Sequence, residues 1–170
     1  PQPSVKSAIK QRAAELDIDG VGVCDSEPLA ETQRMFETAI SRGYIPADLR
    51  PSPAKLLKLT TPSRHLKGAR SVISAYRAYY TEDCASDARA SDPAWGTIAM
   101  YTTSNNYEDL RQRLVRLAEF MQKEHRCKTK VLCCYVTFAE KPIARKSGLG
   151  FYGKHGVIVT PRHVSFVVLG

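Results

Sequence analysis

Residues 156–169 read GVIVTPRHVSFVVL. Two β-branched runs, GVIVT (156–160) and SFVVL (165–169), flank the connection PRHV. Such runs, joined by a short proline-led link, predict the two strands of an antiparallel hairpin. The rest of the chain mixes helix and strand patterns without a clean βαβ alternation. A terminal antiparallel pair in that setting favours an α+β architecture over a doubly wound parallel sheet.

The stretch before this hairpin, GLGFYGKHG (148–156), sets Gly148, Gly150, Gly153 and Gly156 around two aromatics, with Lys154 and His155 beside them. Glycines let backbone approach a large ligand closely, and free N–H groups next to a lysine suit a phosphate or amide rim. The glycines follow a helix instead of opening one, which is not a dinucleotide fingerprint, and there is no GK[ST] ending. An ordinary Gly-rich turn between helix and strand accounts for the pattern equally well. Upstream, TFAE (137–140) fits a capping box for a helix running to about Ser147, although Pro142 lies too deep for that register and favours a start one or two residues later. Gly148 is the expected terminator, and KVLCCYV (130–136) reads as a short apolar strand.

The strongest helical pattern spans 107–126, where Leu110, Leu114, Leu117, Phe120 and Met121 form one stripe and Ser104, Asn105 or Asn106 can cap the start. The preceding YTTSNNYEDL (101–110) supplies hydroxyls, amides and tyrosines where helix N–H donors converge, which serves either a polar ligand or plain capping. GTIAMY (96–101) fits a strand or a short helix. Residues 81–94 form the most polar loop, and Trp95 beside it either packs or covers a flat ligand. SVISAY (71–76) is a strand reaching toward Tyr79 and Tyr80. Residues 46–63 form a proline-rich connector with one helical turn at 56–59. Helices are expected at 5–16, capped by Ser4, and at 29–41, with a short strand at 20–24 between them.

The 170 residues carry 25 Lys+Arg and 17 Asp+Glu, a net charge of +8. That length suits one domain with a real core, and 43% apolar with 25% charged residues excludes bulk disorder. No apolar run reaches the length of a membrane span, and the polar N-terminus lacks a signal-peptide core. The first residue is not Met, so a trimmed piece is expected. The excess charge is concentrated: residues 49–81 hold seven Lys+Arg and no acid, and 141–170 hold five and no acid. Acid-free blocks suit an anionic partner such as nucleic acid or a phosphate-bearing cofactor, or are simply a solvated basic face. Five cysteines, irregularly spaced and with no C-x-x-C, indicate thiols in a reducing cytoplasm rather than disulfides or a zinc knuckle. Cys134, beside Cys133, is read as a structural thiol before a nucleophile. His65, His125, His155 and His163 form no zinc-hydrolase pair, and no G-x-S-x-G elbow occurs.

Several of these segments together resemble one family. Residues 62–80 (PSRHLKGARSVISAYRAYY), 101–120 (YTTSNNYEDLRQRLVRLAEF), 139–156 (AEKPIARKSGLGFYGKHG) and 165–170 (SFVVLG) are similar, in order and spacing, to segments of tRNA epoxyqueuosine reductases. The resemblance implies a cobalamin-dependent iron–sulfur oxidoreductase of queuosine biosynthesis, related to reductive dehalogenases. It implies a nitroreductase-like cobalamin-binding domain, with a mixed or antiparallel sheet flanked by helices. Its expected substrate is an epoxide carried on tRNA, reduced at cobalt with electrons from two [4Fe–4S] clusters. By motif match the cofactor-binding positions are Tyr107, Gly148, Leu149, Gly150, Phe151, Tyr152, Gly153 and Lys154. The chain departs from the pattern in three places. It holds no cluster-ligating cysteine run, so residues 1–170 are expected to be the cobalamin-type portion alone, inactive by itself. The family's acidic proton donor would fall near Cys134, where there is none. Asn106 and Glu108 stand where the family usually has Asp and His around the tyrosine. These departures keep open a divergent, non-catalytic relative that binds RNA, corrinoid or flavin.

Overall fold

A computed structural model describes residues 4–46, 48, 52–80, 98–133 and 138–170. Helix α1 (Val5–Glu15) starts where the Ser4 side chain accepts a hydrogen bond from the Ser7 N–H. It leads into β1 (Gly20–Asp25), then α2 (Ala30–Ser41) and α3 (Pro53–Lys58). Strand β2 (Ser71–Ala78) is followed, beyond a 3-10 turn at Met100–Thr102, by α4 (Asn106–His125). The Asn105 side chain caps α4 by accepting from the Glu108 N–H. Helix α5 (Glu140–Lys146) and the short strands β3 (Phe151–Tyr152), β4 (Ile158–Val159) and β5 (Val167–Leu169) complete the order.

The main sheet has the order β1-β2-β5, antiparallel throughout, with β2 central. Successive β2 side chains point to opposite faces, and each face is covered by helices. Ile73 and Ala75 meet α1 and α4 in a core with Ala13, Leu16, Leu110, Leu114, Leu117 and Val168. Tyr76 faces the other way, onto Ala144 of α5, Leu149 and Ile158. A third cluster joins Ile143 of α5 to Leu29 and Leu59. Charged groups lock one end of the sheet. Arg77 Nη1 donates to Asp19 Oδ2 at 2.9 Å, and Arg77 Nε donates to Asp109 Oδ2 at 3.3 Å. The same Asp19 oxygen accepts the Ala78 N–H at 2.9 Å, and Arg113 bonds both Asp109 and the Leu16 carbonyl.

Three expectations need correction. The runs at 156–160 and 165–169 are not one hairpin ladder. Ile158–Val159 pair with Phe151–Tyr152, and Val167–Leu169 pair with β2, leaving a single bridge between Thr160 and Val164. Val164 sits at φ 50, unusual for a β-branched residue, and turns the chain from the small sheet to the main one. Thr160 stabilises that turn by donating its N–H and its hydroxyl to the Val164 carbonyl. Second, residues 130–133 form no strand; Val131 and Cys133 reach the core by packing beside α4, and 134–136 lie outside the described residues. Third, α5 is capped at Ala139 without a side-chain bond, while Thr137 lies outside the described residues. Pro142 then falls in the first turn, where its missing N–H would have no helical acceptor in any case. The loop 81–94 and Trp95 also lie outside the described residues.

Candidate functional site

Gly148 ends α5 at φ +80, and its N–H donates to the Arg145 carbonyl while the Leu149 N–H donates to that of Ala144. This left-handed cap sends Leu149 into the core and the next residues out along β3. Gly150 has structural cause: a Cβ there would lie 2.3 Å from the Val159 carbonyl oxygen. A Cβ on Gly153 would meet the His155 ring, and Gly156 turns the chain at φ +72. The glycines are thus required by the β3–β4 hairpin itself. What the hairpin offers outward is Phe151, 62% exposed, Tyr152, 39% exposed, and the exposed Lys154. Partial burial pushes the Tyr152 phenol above its ordinary pKa, against the pull of Arg145.

Tyr107 stands in the first turn of α4 and is 37% exposed. Its carbonyl accepts a long bond from the buried Cys133 thiol at 3.5 Å. The neighbouring Glu108 carboxyl is held down to about 2 by hydrogen bonds from Arg111 and Gln112. Helix α4 and the β3–β4 hairpin pack on opposite faces of the main sheet. The structure therefore brings Gly148 to Lys154 together and leaves Tyr107 with the other layer. Cys134, where the family's acid is expected, lies outside the described residues.

A cavity of about 510 Å³ opens elsewhere, between α4, α5 and the first half of β2. Leu114, Leu117 and Met121 form one wall, Phe138 and Ile143 the other. None of the motif-matched positions lines it. Its wall residues carry no motif; the local signal in the sequence is the strand pattern SVISAY (71–76) beside the acid-free 49–81 block. Of that block, Lys55, Lys58, Arg64, Lys67 and Arg70 are exposed and have no ion-pair partner among the described residues. Arg77, by contrast, is neutralised by Asp19 and Asp109. Among the described residues no three His, Cys, Asp or Glu side chains gather as a metal site, and no helix is long and apolar enough to cross a membrane.

The family model described as "Epoxyqueuosine reductase QueG, DUF1730" matches residues 60–134. The epoxyqueuosine reductase of Vibrio cholerae is 29% identical over 164 residues, covering 95% of this chain and 44% of that protein. The chain is similar to epoxyqueuosine reductases along nearly its whole length. The Escherichia coli epoxyqueuosine reductase is likewise 29% identical over 166 residues, covering 95% of this chain and 43% of its own length. The fold agrees with solved structures. A crystal structure of epoxyqueuosine reductase with an epoxyqueuosine-modified tRNA-Tyr stem loop superposes with a TM-score of 0.77 at 22% identity, over 97% of this chain and 44% of that one. The Streptococcus thermophilus epoxyqueuosine reductase gives 0.80 at 18% identity, over 98% and 45%. This chain spans less than half the length of these relatives.

Proposed function

We propose that residues 1–170 form the cofactor-facing unit of an oxidoreductase that reduces an epoxide on tRNA-borne epoxyqueuosine. The observation that carries this reading is the match to epoxyqueuosine reductases along 95% of the chain. The proposed cofactor is a corrinoid, with the outward face of the β3–β4 hairpin as its seat. Phe151 and Tyr152 offer exposed aromatic surface to a flat macrocycle, and Lys154 offers a cation to its amide or phosphate rim. Bound there, a corrinoid would supply a reducing metal centre. The chain's own part is to hold it, through a hairpin whose glycines are fixed by Val159 and His155. The other motif-matched position, Tyr107, belongs to the opposite layer and is proposed only as a rim contact from the α4 side. The iron–sulfur clusters of the family reading require ligands that this chain does not carry.

Titration with cob(II)alamin tests the seat. The expected result is a base-off absorbance spectrum that is lost in Phe151→Ala with the thermal midpoint unchanged. An unchanged spectrum in the unsubstituted chain overturns the corrinoid reading, and yellow colour on purification points to flavin instead. A second reading, RNA binding without chemistry, is favoured by the five unneutralised cations at 55–70. Filter binding of tRNA across salt concentrations should give a log–log slope near −0.9 per phosphate contact for duplex regions. Binding that ignores salt removes this reading.

A further inference from the structure

Helix α4 ends on a left-handed residue that is not glycine. Arg126 takes φ 48 there, a conformation that glycine adopts more easily, and so keeps a cation at the helix end. Two side chains brace the turn that follows. Gln122 Nε2 donates to Thr129 Oγ1 at 2.5 Å, and Cys127 Sγ donates to the Met121 carbonyl at 3.3 Å. The helix end and its turn present Lys123, Arg126, Lys128 and Lys130, all exposed. Arg126 and Lys128 share an open groove with Leu66. Leu66 belongs to the segment 64–70, whose Arg64, Lys67 and Arg70 are exposed as well. Lys67 and Arg70 also line a common cavity with Lys128 and Lys130. None of these cations has an ion-pair partner among the described residues. Residues 61–70 hold no acid, and 122–130 hold only Glu124.

We propose that the 64–70 segment and the α4 turn form one docking surface for the phosphate backbone of a duplex RNA stem, held without contact to base edges. Gathered cations with no acidic partners repel one another, and a polyanion relieves that repulsion while releasing its own counterions. The absence of aromatics selects the form of the partner. Neither 61–70 nor 122–130 contains Phe, Tyr or Trp. Unpaired nucleic acid is gripped largely by aromatic side chains on which its bases stack. A surface of cations without such rings fits a duplex, whose bases are already stacked and whose phosphates face outward. The bracing favours binding, since a turn already held by Gln122 and Cys127 has little freedom left to lose when its cations engage. The inference rests on the RNA-binding reading and adds to it the second half of the surface and the form of the RNA. It is independent of the corrinoid seat.

The test is fluorescence anisotropy of a labelled RNA hairpin titrated with the 170-residue chain at several salt concentrations. Arg126→Gly, Lys128→Gln and Lys130→Gln together remove three cations, and the glycine preserves the left-handed cap. The expected result is a log–log salt slope shallower by about 2–3, at roughly 0.9 per lost phosphate contact, with binding roughly tenfold weaker at low salt and the thermal midpoint unchanged. A second variant, Lys6→Gln, Lys10→Gln and Arg34→Gln, takes the same charge from the exposed faces of α1 and α2 and should leave the slope as it was. Equal losses in both variants overturn the surface, because net charge alone then accounts for the binding. Salt-dependent binding that the first variant leaves intact overturns the surface and leaves the RNA reading standing. No salt-dependent binding by the unsubstituted chain overturns the RNA reading itself. Tighter binding of an unpaired RNA strand, or of a DNA duplex of the same sequence, overturns the assignment to duplex RNA.

Discussion

Replacing Gly22 by alanine tests how closely β1 is pressed against α5. A Cβ there would lie 2.5 Å from the Ser147 carbonyl oxygen, 2.8 Å from its Oγ and 2.9 Å from its Cβ. Restoring ordinary contact requires a displacement of about 0.9 Å between strand and helix end. Overpacking of this kind costs about 1–3 kcal/mol. Removing glycine from the unfolded chain returns about 0.4–1 kcal/mol. The clash wins, by about 1.5 kcal/mol, and at about 2–4 °C per kcal/mol for a chain of this size the thermal midpoint should fall by about 3–6 °C. Circular dichroism melting checks the shift, with urea unfolding at unchanged slope confirming that only stability has moved. Adding Ser147→Gly removes Oγ and Cβ but leaves the carbonyl, so it should restore only part of the loss. A midpoint unchanged within about 1 °C, or raised, would refute the reasoning. Because Ser147 precedes the Gly148 cap, the same substitution should also weaken whatever binds the β3–β4 hairpin.

Leu110→Ala empties a fully buried site between α4 and the sheet and should cost about 2–5 kcal/mol by urea unfolding. Thr60→Val removes a buried hydroxyl that donates to the Leu57 carbonyl at 2.7 Å; a loss of about 1 kcal/mol is expected in the same assay. The Glu108 carboxyl should titrate near 2 by NMR, and Arg111→Ala should return it toward 4.5. Its folded pKa is depressed, so the stability it contributes is present above the unfolded value and lost as pH falls toward 2; Glu108→Gln should flatten the acid limb in that window, weakly, because the pair is open to solvent.

Local signals carried well from residue to structure. Ser4 caps α1 as expected, and Asn105, one of three candidates, caps α4, because a cap depends only on residues three positions away. Pro142 correctly delayed α5. Strand pairing did not carry, because it is a contest among distant partners. The runs VIVT and FVVL are neighbours in the chain, yet β4 finds Phe151–Tyr152 and β5 finds Arg77. The Gly-rich segment was visible by composition. Its cause was not, since Gly150 answers to a carbonyl nine residues away. The cavity had little signature: Leu117, Met121 and Ile143 look like any core residues until the fold places them around it.

Asp19 gives the opposite end of the central strand a different character. Strand β1 begins at Gly20, two residues too late to pair with Ala78, and the Asp19 carboxylate accepts that amide in place of a missing carbonyl. The side chain imitates a neighbouring strand for one rung and then ends. At the Ala78 corner the sheet therefore ends on a side chain instead of on a strand. Loss of Asp19 would remove more than an ion pair, for it would also take the acceptor from the Ala78 amide.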